Sequence, residues 1–436
     1  MTFFQRLLLS AAVALAGTTT AGCDFNLDDP NTVGEDTVFN TVPGLLGAAI
    51  GLQELYNVQA LGEVIINPAV TARELAANTT FANLLELEDG GAVLRNTNGD
   101  VGDLFLQLNR VIGYAENIGE GARATENLTD AQESGLVALS SFYRAVAIGS
   151  LAQSFEQVPI ATDDDGEASY VSNQAGFAEA ARLLDEAEGE LATSGAAGAI
   201  PTPVGFDLLN TIRAYRARYE LYAGNDRAAI DAADSVDEGA TSVFVYTDAA
   251  SNPLFTRLVR GNSSYAARDD LGLPSTQDGD ARIAFYVTEV DSLSTNGLAI
   301  DQTAGFADDG QGAPYPAFLP GELDLIRAEA YLNLGDTDRA VEFIDAVRTK
   351  TADEDPFGVG AGLDAYDGAT DAASLRAEIF YQRGAELYLQ GLRLIDSRRL
   401  GGPGPGNGPF ERNRNFYPYP FQERNANPNT PTDPSI

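Results

Sequence analysis

The sequence predicts a mainly all-α protein: a single-domain scaffold of tetratricopeptide-like helical hairpins, interrupted by one large irregular, loop-rich insertion. Three observations point there: several windows with helical periodicity and matching caps, two similar hairpin stretches far apart in the chain, and one long interval without a helical face.

The helices come first. Thr129 opens a capping-box pattern with Gln132, and Leu136, Leu139, Tyr143, Val146 and Ser150 then fall at steps of three and four on one face. Phe177, Ala180, Leu184, Ala187 and Leu191 repeat the pattern. So do Leu208, Ile212, Tyr215, Tyr219 and Tyr222, which begin after Thr202-Pro203 and end at Gly224, a natural left-handed cap.

The hairpins follow. Tyr222-Ala223-Gly224-Asn225-Asp226-Arg227-Ala228-Ala229-Ile230 and Leu334-Gly335-Asp336-Thr337-Asp338-Arg339-Ala340-Val341 both read as helix, glycine turn, acidic N-cap and second helix. That is the layout of a tetratricopeptide hairpin, in which small residues let two helices approach. The two glycines lie further apart than the roughly 102 residues that three contiguous repeats occupy, so the repeats are interrupted. The interruption is the interval from about Val243 to Pro320, with Pro253, Pro274, Pro314, Pro316 and Pro320 and clustered Gly and Asp. Such an element carries function on a rigid scaffold. Residues 401–409 read as a flexible Gly/Pro loop before an extended tail.

At the N-terminus, Arg6, the apolar run Leu7–Ala16 and Ala21-Gly22-Cys23 have the layout of a secretory signal, too short to span a bilayer. Small residues before the only cysteine suit a lipoprotein signal: cleavage removes residues 1–22, Cys23 becomes the lipid attachment point, and the remaining residues are enough for one domain or two. Two acyl chains give durable anchoring. No later segment reads as apolar enough to cross a membrane.

The chain carries 64 acidic and 27 basic residues, a net charge of −37, and processing makes this one unit more negative by removing Arg6. Such a field repels nucleic acid and anionic lipid, which argues against either as a partner. The acids are spread through a chain that is 44% apolar, so they mark an acidic surface and not disorder. With Lys350 the single lysine, this composition resembles that of a halophile-like acidic proteome, in which salt screens repulsion among surface carboxylates.

Histidine is absent, which removes Ser-His-Asp and Cys-His nucleophilic systems, the His-Glu-x-x-His zinc site and the usual general base near neutral pH. One cysteine, acylated, removes thiolate metal sites. Carboxylate-only glycoside hydrolysis needs just two acids, but among 64 no spacing selects the pair. The expectation is a protein that is not an enzyme and has no cofactor or metal. Asp163-Asp164-Asp165-Gly166 and the run Asn96–Asp103 lack the alternating Asp order of a calcium loop and read as solvated acidic turns.

Binding chemistry is available inside the insertion. Tyr265, Phe285, Tyr286, Tyr315 and Phe318 offer aromatic faces, and Arg260, Arg268 and Arg282 offer bidentate pairing with carboxylates. Tyr265, Arg268, Arg282, Tyr286 and Tyr315 stand as the candidate ligand-binding residues. The competing reading is that the rings pin the loops to the scaffold.

Four stretches resemble the SusD/RagB family of outer-membrane nutrient-binding lipoproteins. They are Cys23-Asp24-Phe25-Asn26-Leu27-Asp28-Asp29-Pro30-Asn31; Phe142-Tyr143-Arg144-Ala145 through Phe155-Glu156-Gln157-Val158-Pro159-Ile160; the hairpin Glu322–Arg348; and Glu386-Leu387 through Gly391, Arg393, Asp396, Arg398, Arg399 and Gly401, with a similar tail from Tyr417-Pro418 to Asn427-Pro428-Asn429. Gln390 stands where the family usually has Glu, and Leu394 and Leu400 where Trp is frequent. The resemblance implies that residues 23–436 form a single helical domain, a surface-exposed, lipid-anchored outer-membrane protein that captures glycans or peptides and hands them to a SusC/RagA-type TonB-dependent transporter. The alternative is an envelope scaffold whose helical repeats hold other proteins without a small ligand.

Overall fold

The amphipathic faces expected from the sequence close on one another in the order of the chain. The computed structural model describes residues 35–163, 165–260, 263–406 and 411–436. The signal segment, Cys23 and Asp164 therefore lie outside the described residues.

Helices α1 (Glu35–Phe39) and α2 (Val42–Glu54) lead through a π-helical turn, Leu55–Ala60, into α3 (Leu61–Thr71). Strand β1 (Leu75–Ala77), α4 (Ala82–Asp89), α5 (Gly99–Ala124) and α6 (Asp130–Ser154) follow. The capping box at Thr129 and Gln132 forms as the sequence predicts. Strands β2 (Gln157–Pro159) and β3 (Tyr170–Ser172) make a short antiparallel pair before α7 (Asn173–Leu191), α8 (Leu208–Ala223) and α9 (Asp226–Asp234).

After α9 come β4 (Val243–Phe244), a second π-helical turn (Phe255–Val259), β5 (Tyr265–Arg268), α10 (Ala281–Tyr286), β6 (Val287–Leu293), β7 (Ala299–Thr303) and β8 (Tyr315–Pro316). The chain ends through α11 (Pro320–Asn333), α12 (Thr337–Thr349), α13 (Ala372–Glu386), α14 (Arg393–Arg399) and α15 (Phe421–Ala426).

Helices α5, α6, α7, α8 and α9 pack each against the next, α9 then packs on α11, and α11, α12 and α13 continue the stack. The scaffold is thus continuous in space where the sequence is interrupted. Gly224 and Gly335 close the two equivalent hairpins with φ of 86° and 83°, a region that favours glycine. Asp336 caps α12 through the Arg339 amide at 3.1 Å. The N-cap at the other hairpin is Asn225, whose side chain binds Glu220 instead of capping, so the acidic cap expected there is absent. Among the described residues α6 is long and apolar enough to cross a membrane, contrary to the sequence expectation. Its role is nonetheless that of a core helix, because 94% of its most apolar window is buried inside the protein.

The interval from β4 to β8 is loop-rich but not without order. β4 and β8 pair at its two ends, Phe244 opposite Tyr315, which draws the entry and exit together. Between them β5, β7 and β6 join β1 in a four-stranded antiparallel sheet of order β1-β5-β7-β6, with Leu75 opposite Ala267, Ala267 opposite Asp301 and Val287 opposite Thr303. The sheet is consequently shared between the insertion and the N-terminal helices.

Buried ion pairs lock these parts. Arg218 of α8 makes a bidentate pair with Glu322 of α11, at 2.5 and 2.7 Å. Glu386 of α13 receives Lys350 Nζ at 2.6 Å and Arg282 Nη1 at 3.2 Å. Asp396 receives Arg383 at 2.8 Å and Arg399 at 3.0 Å. Glu386, Asp396 and Arg399 of the C-terminal signature are therefore framework residues. Buried charges persist only when paired, and here each carboxylate has its cation.

Candidate functional site

All five residues expected to bind ligand are buried, and three of them have hydrogen-bond partners that hold them within the interior. Arg282 is fully buried, held by Asp280 at 2.7 and 2.9 Å, by Gln382 at 2.8 Å and by Glu386. The Tyr286 hydroxyl donates to the Glu386 carbonyl at 2.9 Å, and that of Tyr315 to the Leu389 carbonyl at 2.5 Å. Their rings join Phe306, Phe285 and Tyr388 in a buried aromatic cluster. For these residues the competing reading is the right one: they pin the insertion to α13, because a buried guanidinium or phenol must find a protein partner. Arg268 is buried on β5 among Arg73, Glu88 and Asp269, and burial lowers its pKa. Arg260 is exposed at the end of its turn.

Tyr265 has a different setting. It stands between two adjoining depressions of about 420 and 290 Å³ and lines both. The larger is floored by the sheet, with Thr303, Asp301 and Ile300 of β7, Val290 and Ser292 of β6, and Leu258 of the π-helical turn. The smaller is walled by Glu63 of α3, Leu84 of α4, Asp100 and Asp103 of α5, and Thr256 and Arg257.

Local sequence positions each wall. Asn98 caps α5 by accepting from the amides of Asp100 at 3.1 Å and Val101 at 3.2 Å, which fixes the first turn bearing Asp100, with Asp103 just beyond it. Asn83 then donates to Asp100 Oδ2 at 2.7 Å. Asn252 accepts from the amide of Leu254 at 2.9 Å and starts the π-helical turn, from which Arg257 pairs with Glu63. Such turns concentrate at functional sites.

Three atoms of this site are buried without a hydrogen-bond partner: the Tyr265 hydroxyl, Thr303 Oγ1 and Glu63 Oε2. Their residues are 3%, 4% and 4% exposed. An unsatisfied buried polar group costs about 1–3 kcal/mol, so three lining adjoining depressions mark a place that a polar ligand can stabilise. A larger groove, about 670 Å³ between α2 and α5, has no such atom among its lining residues.

Electrostatically the site is acidic. Burial raises the pKa of Glu63, Arg257 opposes this, and Asp100 and Asp103 add to it. Burial likewise raises Asp100 and Asp301. Burial, with Asp100 and Glu63 adding, holds the Tyr265 phenol protonated. Phe81, 62% exposed, lies in the segment between Asn78 of one depression and Leu84 of the other.

Of the residues lining these depressions, sequence reasoning singled out Tyr265 and did not single out Glu63, Asp100, Asp103, Arg257, Asp301 or Thr303. One signal was available: Glu63 is an acid within the otherwise apolar run Leu61–Ile66. Asp100 and Asp103 lie in the stretch read as a solvated turn, which the structure makes a helix start beside the site. Asp163 does form an acidic turn, accepting from the Asp165 amide at 2.8 Å.

Comparison with known proteins accords with this architecture. The model of the SusD family matches residues 302–433. The fold is shared with a SusD superfamily protein from Bacteroides thetaiotaomicron VPI-5482, with TM-score 0.70 and 15% identity over 90% of this chain and 100% of that one. A SusD superfamily protein from Bacteroides vulgatus ATCC 8482 gives 0.68 and 15% over 90% and 99%. A SusD-like carbohydrate binding protein from the same organism gives 0.61 and 15% over 80% and 82%. At such identity the likeness is one of fold. No curated protein matches the chain in sequence.

Proposed function

We propose, for a chain that is SusD/RagB-like in the sequence of its C-terminal third and in its fold, a non-catalytic carbohydrate-binding role. The single observation that carries the reading is the meeting of three unpartnered buried polar atoms, Tyr265 OH, Thr303 Oγ1 and Glu63 Oε2, at adjoining depressions. A sugar offers hydroxyls that both donate and accept, which suits this mixture of groups. Phe81, exposed on the segment that joins Asn78 to Leu84, offers an apolar face suited to a sugar ring.

The finer reading is that of a surface lid. Cys23 carries the lipid that tethers the protein to the outer membrane, and a SusC/RagA-type TonB-dependent barrel receives what the depression captures. The stack of regular helices offers that barrel a broad docking face. Peptides are the second ligand class of this reading; the hydroxyl-lined depression favours sugars.

The test has two parts. Mild-detergent purification of the tagged mature chain from its native membrane should yield a stoichiometric TonB-dependent barrel and a diacylated Cys23 peptide; Cys23→Ser should release the protein. Titration with oligosaccharides should show binding that Tyr265→Ala removes. A soluble, unmodified chain without a barrel would overturn the lid reading, and sugar binding indifferent to Tyr265 would overturn the site.

A further inference from the structure

Resting on the carbohydrate reading and deepening it, we infer that the Tyr265 depressions select by charge: they take uncharged or amine-bearing sugars and reject uronate-bearing ones. Four carboxylates, Glu63, Asp100, Asp103 and Asp301, line the two depressions, against one cation, Arg257. That cation is engaged, since Arg257 is already paired with Glu63. The other arginines of the insertion give no relief, because neither Arg260 nor Arg268 lines either depression, and Arg282 is enclosed by Asp280 and Glu386.

The unpartnered atoms point the same way. Glu63 Oε2 is a buried acceptor without a donor. A hydroxyl or an ammonium group satisfies it, whereas a uronate carboxylate brings a second acceptor and a like charge into a partly dry site, where repulsion is stronger than in water. The Tyr265 and Thr303 hydroxyls accept or donate and so impose no charge of their own.

The overall charge of the chain repels anions as well, so the local and global fields must be separated. Salt does this: at about 1 M the screening length falls to about 3 Å and the distant acids cease to matter, while buried or partly buried charges are screened much less.

The experiment reads binding of the full mature chain to gluco- and manno-oligosaccharides, chitosan oligomers and oligogalacturonates at about 0.15 M and about 1 M salt. Uncharged or amine-bearing members should bind, and oligogalacturonates at least about tenfold more weakly at both salts, a gap of about 1.4 kcal/mol. Equal or tighter oligogalacturonate binding at high salt would overturn the inference and leave the carbohydrate reading intact. Binding of no sugar at all would remove that reading, and the inference with it.

A second variant locates the effect. Asp103→Lys, at an exposed position of α5, should narrow the gap at least about tenfold by helping the uronate and opposing the amine. An unchanged ratio in a variant of native helicity would show that the charges of the depression do not select.

Discussion

Thr303→Val tests the site most sharply, because the structure predicts opposite effects on stability and on binding. Thr303 lies on β7 opposite Val287, is 4% exposed, and its hydroxyl has no partner. Valine has nearly the same shape and suits a strand, so the substitution removes little besides the unsatisfied oxygen. Relief of that penalty should stabilise the unliganded protein by about 1–3 kcal/mol, seen as a higher urea midpoint at unchanged m-value. The same change deletes one neutral hydrogen bond to ligand, about 0.5–1.5 kcal/mol, so sugar affinity should fall roughly two- to twelvefold. Equilibrium unfolding and titration calorimetry on one preparation give both numbers. A variant that is less stable than the parent and binds sugar equally well would refute the reasoning, since it would show that the hydroxyl serves the fold and not the ligand.

Other expectations follow from buried charge. Burial pushes Glu74 from its ordinary value of 4.5 up to about 8, with Arg393 opposing. The folded chain therefore holds this proton where the unfolded chain has lost it, so the contribution is full below about pH 4.5 and is lost as pH rises to about 8, at no more than about 1.4 kcal/mol per unit. Glu74→Gln should accordingly gain on the wild type as pH rises from 5 to 8; a constant difference between their urea midpoints would contradict this. Glu322→Gln weakens the pair with Arg218, both side chains being 5% exposed or less, and should cost about 3–5 kcal/mol in equilibrium unfolding, while Arg218→Met with Glu322→Leu should recover most of it. Under the halophile-like reading, dialysis to low salt should lower the melting temperature, and retention of the same melting point and helical circular dichroism would show that the acidic surface needs no screening.

How much of this was legible in the sequence depends on the range of the interaction concerned. The α6, α7 and α8 faces and the glycine-closed hairpins follow from a 3.6-residue period and from local capping chemistry, both written in adjacent residues. The interruption of the repeats was readable too, from prolines and the lack of a period. The sheet inside it was not, because its strands have two to seven residues and β1 comes from a part of the chain far from β5. Residue type pointed to aromatic rings and arginines as binding groups, and of the five so chosen only Tyr265 lines the pair of depressions.

The sequence by itself determined a helical-repeat scaffold, an acidic surface, the loss of histidine-dependent chemistry and the family resemblance. Each depends on composition, on local periodicity or on a linear motif. Only the tertiary structure decided that Arg282, Tyr286 and Tyr315 lock the insertion in place, and that Glu63, Asp100, Arg257, Tyr265 and Thr303 line one pair of depressions. Whether a polar atom is paired or left waiting depends on which distant segments pack against it, and no period along the chain records that.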